Sequence, residues 1–557
     1  MFDRPIFTDP LAFEIAGDDP LGLAPTNERL YMAVFPGVNN VVRYIRVYSA
    51  ICWCVRLIER YLKEHENELT RQQAREIFDQ ATEKIQLLIA WTNKSFAYPD
   101  IAGSNRKFPT SETNQTIRLR FVSFGTSTAS LLEAVSYRPS LTSGLRFLEK
   151  RSGDTFACTP AGEQLAEAFE KHVCDSQVYD WLADVTQIDT TYTDAMKLKP
   201  YFVVGDPSAL EQSAFMAQFF PELVSEESDS SSYNRWLSLN LVLRSVDLIA
   251  QKKISDGEDG VAYADEVRAC MARWRMPGGL ALNLAGLQDV HAWWAVLQLR
   301  QLYRLAIEVI YCVVERWLGA AAIDSVDTSI AACSEALAGN AVQALDDSMC
   351  AQVQQAIDTF VAGCDGFESL YEAYCNNSDT ETLDVFYYIK ELRQKDLLGF
   401  DKDGSHKALA SAYVALIFCA VEAEKLYVRP ETKSVLQKDE DDCSLISLMH
   451  LVRRMAAGSP HTFIAHLVKH WVVLRHFDVV SARSERADGR NRFRFVVGDE
   501  GLERFDPTAS LPFPAFAEDR LKHILILCRQ AGFLDGGGAY KLSALGRRRI
   551  ETALRAV

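Results

Sequence analysis

LQDVHAWWAVLQLRQLYRLAIEVIYCVVERWL, Leu287 to Leu318, is the stretch that decides the fold class. Its sparse polar residues, His291, Gln298, Gln301, Glu308 and Glu315, recur at helical spacing, and most of the remainder is apolar. A helix that is apolar almost all round has to be buried almost all round. At about 1.5 Å per residue it runs roughly 45 Å, enough to cross a large domain. A membrane span is the rival reading, but Arg300, Arg304 and Glu308 interrupt the segment. No run approaches the ~20 uncharged apolar residues that a bilayer requires. The segment therefore predicts the central pillar of a helical domain with no membrane contact.

Working outward, 557 residues with 48% hydrophobic and 24% charged content predict a folded chain of several domains. The formal net charge of −16 is polarised. From Cys443 to Val557 there are 18 Lys+Arg against 11 Asp+Glu, a balance of +7, which leaves −23 on the other 442 residues. A uniformly nucleic-acid-coated protein is excluded, whereas a basic C-terminal region meeting phosphate is not. The 13 cysteines are scattered, their closest pair is Cys52 and Cys54, and no CxxC occurs. That usage suits a reduced, cytoplasmic chain without a zinc-finger framework. The acidic, proline-punctuated residues after Met1 predict neither a secretory signal nor a transit peptide.

Along the chain the reading is mainly α, a multi-domain helical scaffold with small winged-helix (α+β) units near the N-terminal third and at the C-terminus. Residues 1–172 form an N-terminal helical domain ending in a winged-helix-like unit. There a helix at Ser127–Ser136, an extended run Leu145–Glu149, a turn at Ser152-Gly153-Asp154 and a strand Thr155–Cys158 lead to Thr159-Pro160. Thr159 is expected at the N-cap and Pro160 at the first helical position. Residues 173–428 form a central helical domain around the 287–318 helix. Residues 429–442, RPETKSVLQKDEDD, read as an acidic linker. Residues 443–557 read as a basic tandem winged-helix-like region: a helix from Ser459-Pro460 to about His476, a strand-like Val479–Ser484 turning into Arg492–Val497, then a second unit from Glu518. FACTPAG (156–162) and YKLSALG (540–546) echo each other: an aromatic residue, Ser or Thr three later, Gly three later again.

Three constellations carry candidate chemistry. Around FPGVNN (35–40), Asn39 or Asn40 is expected to cap the following helix, and Arg43 and Arg46 near its start form a candidate anion or partner site. The competing reading is an amphipathic helix with solvated arginines. His466 and His470, four apart on one helix, can chelate a metal and would serve a metal-dependent nuclease or other hydrolase. Neither an HExxH nor an obvious third ligand accompanies them. Arg483, Arg486, Arg490, Arg492 and Arg494, with Lys469 and Arg475 on the preceding helix, form a candidate DNA-binding set, since a wing lays such arginines along a phosphate backbone. The competing reading is a solvated edge hairpin whose charges block edge pairing. No P-loop, dinucleotide fingerprint, nucleophile elbow or paired Cys–His signature is present, so no cofactor and no catalytic residue is assigned.

DPLGL (19–23), NERLY (27–31), FPGVNN (35–40) and RY (43–44), followed by CTPAG, resemble uncharacterised bacterial proteins encoded at anti-phage defence loci. The resemblance covers the first third of the chain and brings no catalytic residues with it. It implies other protein subunits of the same operon as partners. Terminal winged helices around a helical middle are also similar in layout to kleisins, which implies an SMC-type or other ATPase among those partners. The expected function is a non-enzymatic scaffold or adaptor subunit contacting partner proteins, double-stranded DNA, or both. A winged-helix transcriptional regulator is the remaining alternative.

Overall fold

In the computed structural model the described residues are 19–94, 101–110, 115–124, 130–132, 136–151, 155–224, 229–273, 280–362, 385–394, 402–484 and 493–556, apart from a few positions within those ranges. The chain is mainly helical, with short antiparallel sheets of two or three strands. No helix among the described residues is long and apolar enough to cross a membrane. The chain divides into two compact units, neither of them continuous in sequence. The first takes residues up to Leu30, 275–281 and 291–517; the second takes 31–274, 282–290 and 518–557. The chain therefore passes between units at none of the sequence-stretch boundaries 172, 428 or 442.

The first unit is organised around the expected pillar, a helix at Gln288–Asp324. Trp294, Tyr303, Val309 and Ile310 are fully buried on it. Arg300, Arg304, Glu308 and Glu315 are buried on it as well, and each of these four charges meets a partner. Arg300 pairs with Asp439 at 3.1 Å, Arg304 with Glu308 at 2.6 Å, and Glu315 with Arg494 at 2.8 Å and Arg504 at 3.4 Å. Buried charge is tolerable only with such pairing, because an unpaired ion away from water costs several kcal/mol. Leu21 and Leu23 join the same apolar core as the helices Ile330–Ala344, Lys402–Val428 and Leu445–Met455.

Two expectations fail in this unit. The stretch 429–442 is no linker: Pro430–Gln437 is a helix with Pro430 in its first turn, and Thr432, Val435 and Leu436 are buried. Two of its acids are half-buried and paired: Asp439 accepts from Thr26 Oγ1 and Asp441 accepts from Arg475. The strand-like Val479–Ser484 belongs instead to a helix, Arg475–Ser484, which continues Pro460–His466 through a π-helical stretch at Leu467–Leu474. Tertiary burial of His476 and Val480 outweighs the strand preference of paired valines. The strand Phe495–Gly498 pairs forward with Gly501–Arg504, and Gly501 takes a φ of 127°.

The second unit packs the helix Ile45–Glu64 against Arg71–Asn93, Pro160–Val173 and Ala209–Phe219. Ser230–Ser255 lies against Ala264–Arg273 and Ala544–Ala556. Buried cations fasten its loops. Arg235 donates to the carbonyls of Phe219, Gln218 and Pro36, and Lys84 donates to those of Trp181, Leu182 and Asp184. The expected cap at Asn39 or Asn40 is corrected: the N-cap position is Tyr44, without a side-chain bond. Asn39 folds its own loop, accepting from the N–H groups of Val41 and Val42 and donating to the Ser136 carbonyl.

Candidate functional site

The sequence echo corresponds to one local device built twice in the second unit. After a helical turn the chain takes a positive φ, at Arg146 (56°) and at Gly532 (81°). Next comes a fully buried phenylalanine, Phe147 or Phe533, opening a short hairpin. One hairpin pairs Leu148–Lys150 with Phe156–Cys158, the other Leu534–Asp535 with Ala539–Leu542. The closing hydroxyl then does the same work in both. Thr159 Oγ1 donates to the Arg146 carbonyl at 2.7 Å and accepts from Gly162 N–H; Ser543 Oγ donates to the Gly532 carbonyl at 2.6 Å and accepts from Gly546 N–H. Thr159 N–H and Ser543 N–H bond the carbonyls of Phe147 and Phe533. Glycine is required at the third helical position because a Cβ would lie 2.0 Å from Phe147 O at Gly162 and 2.3 Å from Phe533 O at Gly546.

What these modules can touch is set by burial. A winged helix reads DNA with the helix that precedes its hairpin. Before the C-terminal hairpin that helix is Leu521–Gln530, and seven of its ten residues, Leu521, His523, Ile524, Leu525, Leu527, Cys528 and Gln530, are buried. The Gln530 amide is occupied on both sides, accepting from Ile45 N–H at 2.8 Å and donating to the Val204 carbonyl at 3.0 Å. The outer edge of the hairpin is covered too, because Ala539 and Tyr540 pair with Tyr263 and Ala262. Before the N-terminal hairpin only a π-helical turn, Ser140–Gly144, lies among the described residues, and the expected Ser127–Ser136 helix falls partly outside them. Lys541, Arg547, Arg548 and Arg555 remain exposed on the C-terminal module.

The other sequence candidates are mostly absorbed by internal partners. Arg46 is fully buried; it bonds Glu211 at 2.8 Å, the carbonyls of Tyr201 and Asp206, and Nε2 of His172 at 2.8 Å. Glu211 thus occupies the anion position, and Ser49 Oγ donates to the same carboxylate. Burial and the Arg46 charge push the His172 pKa down, consistent with an imidazole nitrogen that accepts. Arg43 is half-buried, and its backbone N–H donates to the Tyr137 hydroxyl. The start of that helix is no open N-terminus, since Ile45 N–H is taken by Gln530.

In the C-terminal set, Arg475 donates to the Leu21 carbonyl and to Asp441, Arg483 to the carbonyl and carboxylate of Asp19, and Arg494 to Glu315. Arg486, Arg490 and Arg492 lie outside the described residues, and Lys469 is exposed. His466 and His470 face each other with ring centroids 4.6 Å apart. Burial first, and then neighbouring cationic groups including Lys469, pushes both pKa values down. Among the described residues no third His, Cys, Asp or Glu joins them in a metal-sized cluster.

Sequence reasoning missed the buried cations Arg235 and Lys84. Burial pushes the Lys84 pKa down to about 7. Their only signal is a lone basic residue inside an otherwise apolar helical face, which does not reveal that carbonyls await it. Compared with protein-family models, with curated proteins and with solved structures, the chain matches none.

Proposed function

We propose that this chain is a non-enzymatic adaptor, a helical scaffold joining protein subunits of a bacterial anti-phage defence complex in the cytoplasm. One observation carries the choice of protein over DNA as the principal partner: the helix that would read a groove, Leu521–Gln530, is buried along seven of its ten residues. The ion pairs of Arg475, Arg483 and Arg494 point the same way, because a guanidinium held by an internal carboxylate has little left for phosphate. The defence setting rests on the DPLGL, NERLY and FPGVNN pattern, and the adaptor role on two hairpin-and-helix modules carried by a helical body. An SMC-type or other ATPase encoded in the same operon is the first partner to seek.

The test is co-expression of the tagged full-length chain with its neighbouring genes, followed by size-exclusion chromatography, metal analysis and titration onto labelled duplex DNA. The expected result is a stable stoichiometric complex with at least one neighbour. Duplex binding by the chain alone should be weak, with a shallow salt dependence. A chain recovered alone that binds duplex tightly, losing affinity with a slope of about −0.9 per phosphate contacted, overturns the reading in favour of a regulator. A stoichiometric bound metal whose loss with His466→Ala abolishes nuclease activity overturns it in favour of a hydrolase.

A further inference from the structure

Beyond any docking role, the first unit contains a cavity of about 120 Å³ that the sequence does not announce. The helices Asp347–Ala362, Lys402–Val428 and Leu445–Met455 and the start of Pro460–His466 enclose it. Its wall combines apolar side chains, Val353, Ile417, Val452 and Phe463 among them, with uncharged polar surface, and no lining residue carries a charge.

One polar group in that wall lacks a partner. Tyr413 is 2% exposed, its ring packs against Phe463 at 5.6 Å, and its hydroxyl makes no hydrogen bond to any described residue. Burial, with the Cys350 thiol nearby, pushes its pKa up to about 12, so the hydroxyl keeps its proton at neutral pH. The other polar side chains of the lining are engaged: Gln354 donates to Asp358, and Ser459 is held by Thr462. Cys350 lines the cavity and is exposed, which places its thiol at the mouth.

We propose that this cavity is a binding site for a small uncharged ring-sized organic molecule carrying one hydrogen-bond acceptor, which Tyr413 engages. The size follows from the volume: a cavity of about 150 Å³ accommodates benzene, so this one takes a single ring of about six non-hydrogen atoms, with a small substituent reaching the mouth. A phosphorylated or otherwise charged metabolite is excluded, because nothing in the wall compensates a desolvated charge. An acceptor is specified because the neutral phenol has a proton to give.

The experiment uses the full-length chain with cyclohexanone as probe, benzene as the hydrocarbon control and cyclohexylammonium as the charged control. Binding is followed by ligand-observed NMR, and the alkylation rate of Cys350 by peptide mass spectrometry. Cyclohexanone and benzene should bind saturably, cyclohexylammonium should not, and cyclohexanone should slow alkylation of Cys350 without slowing that of Cys174. Tyr413→Phe should weaken cyclohexanone about fivefold, the worth of one neutral hydrogen bond, and leave benzene unchanged. Val353→Trp should fill the space and abolish both. If that variant fails to fold by circular dichroism, Cys350 protection in the unaltered chain decides the matter. Absence of saturable binding, absence of Cys350 protection, or equal cyclohexanone affinity after Tyr413→Phe overturns the assignment.

Discussion

His476 is completely buried, and both of its ring nitrogens are used. Nδ1 donates to the Pro20 carbonyl at 3.2 Å, and Nε2 accepts from Arg494 N–H at 3.3 Å, so the residue ties the start of the described chain to the strand at Phe495. That arrangement requires a neutral imidazole. Burial pushes the pKa down to about 4, and the Arg494 guanidinium adds to the shift. The unfolded chain takes up the proton near pH 6.5, whereas the folded one resists it until about pH 4. The contribution of His476 to stability is therefore complete above about pH 6.5 and is lost as pH falls toward 4, roughly 3 kcal/mol in all. His476→Gln can keep both hydrogen bonds without titrating. Urea midpoints measured between neutral and mildly acidic pH should fall less steeply in that variant; parallel curves would remove His476 as the group responsible. In sequence His476 ends a basic helix expected to meet phosphate or a partner. The internal pairing of its region is invisible there for a physical reason: Asp19, Glu315 and Asp441, which hold Arg483, Arg494 and Arg475, are remote in the chain, and spacing carries no trace of them.

At the level of elements, legibility followed locality. The hydroxyl-capped hairpin modules were readable because each depends on bonds within a short stretch: Thr159 to Arg146 and Gly162, Ser543 to Gly532 and Gly546. The pillar was readable because a helix apolar on nearly every side has one place to go. The Arg475–Ser484 helix was not, because its paired valines favour a strand and only long-range packing decides otherwise. The same reasoning predicts how the modules respond to mutation. Gly162→Ala and Gly546→Ala each drive a methyl group against a carbonyl oxygen, so each should destabilise the second unit by about 2–4 kcal/mol. Thr159→Ala and Ser543→Ala lose a cap and should cost about 1 kcal/mol each. Thermal denaturation checks the order: glycine variants more damaging than hydroxyl variants in both modules. A harmless Gly546→Ala beside a damaging Gly162→Ala would mean that the two modules do not share one device.

On the scale of the whole molecule, 443–557 has the composition of one basic region, but its residues contribute to two units: 443–517 to the first and 518–557 to the second. Composition could not show this, because both parts are basic and both follow a hairpin-like pattern. The C-terminal forty residues are built into the second unit by specific contacts. Gln530 bonds Ile45 and Val204, Arg268 pairs with Asp519, Phe533 packs on Phe220 at 5.0 Å, and Tyr540 pairs with Ala262. A chain ending at Ala517 would leave the Ile45 N–H without its acceptor and expose the apolar faces that Leu521–Gln530 and Phe533 cover. Truncation should therefore lower the thermal midpoint of the second unit and open new protease sites within 31–274. The pillar and the helices 402–484 should stay resistant, since their core draws on residues before 518. Limited proteolysis with mass spectrometry reads both halves of that statement. An unchanged cleavage pattern would mean that 518–557 is an appendage. New cuts confined to 31–274 would mean that the C-terminus is structural in the second unit, and that a fragment such as 443–557 cannot stand in for either unit in a binding assay.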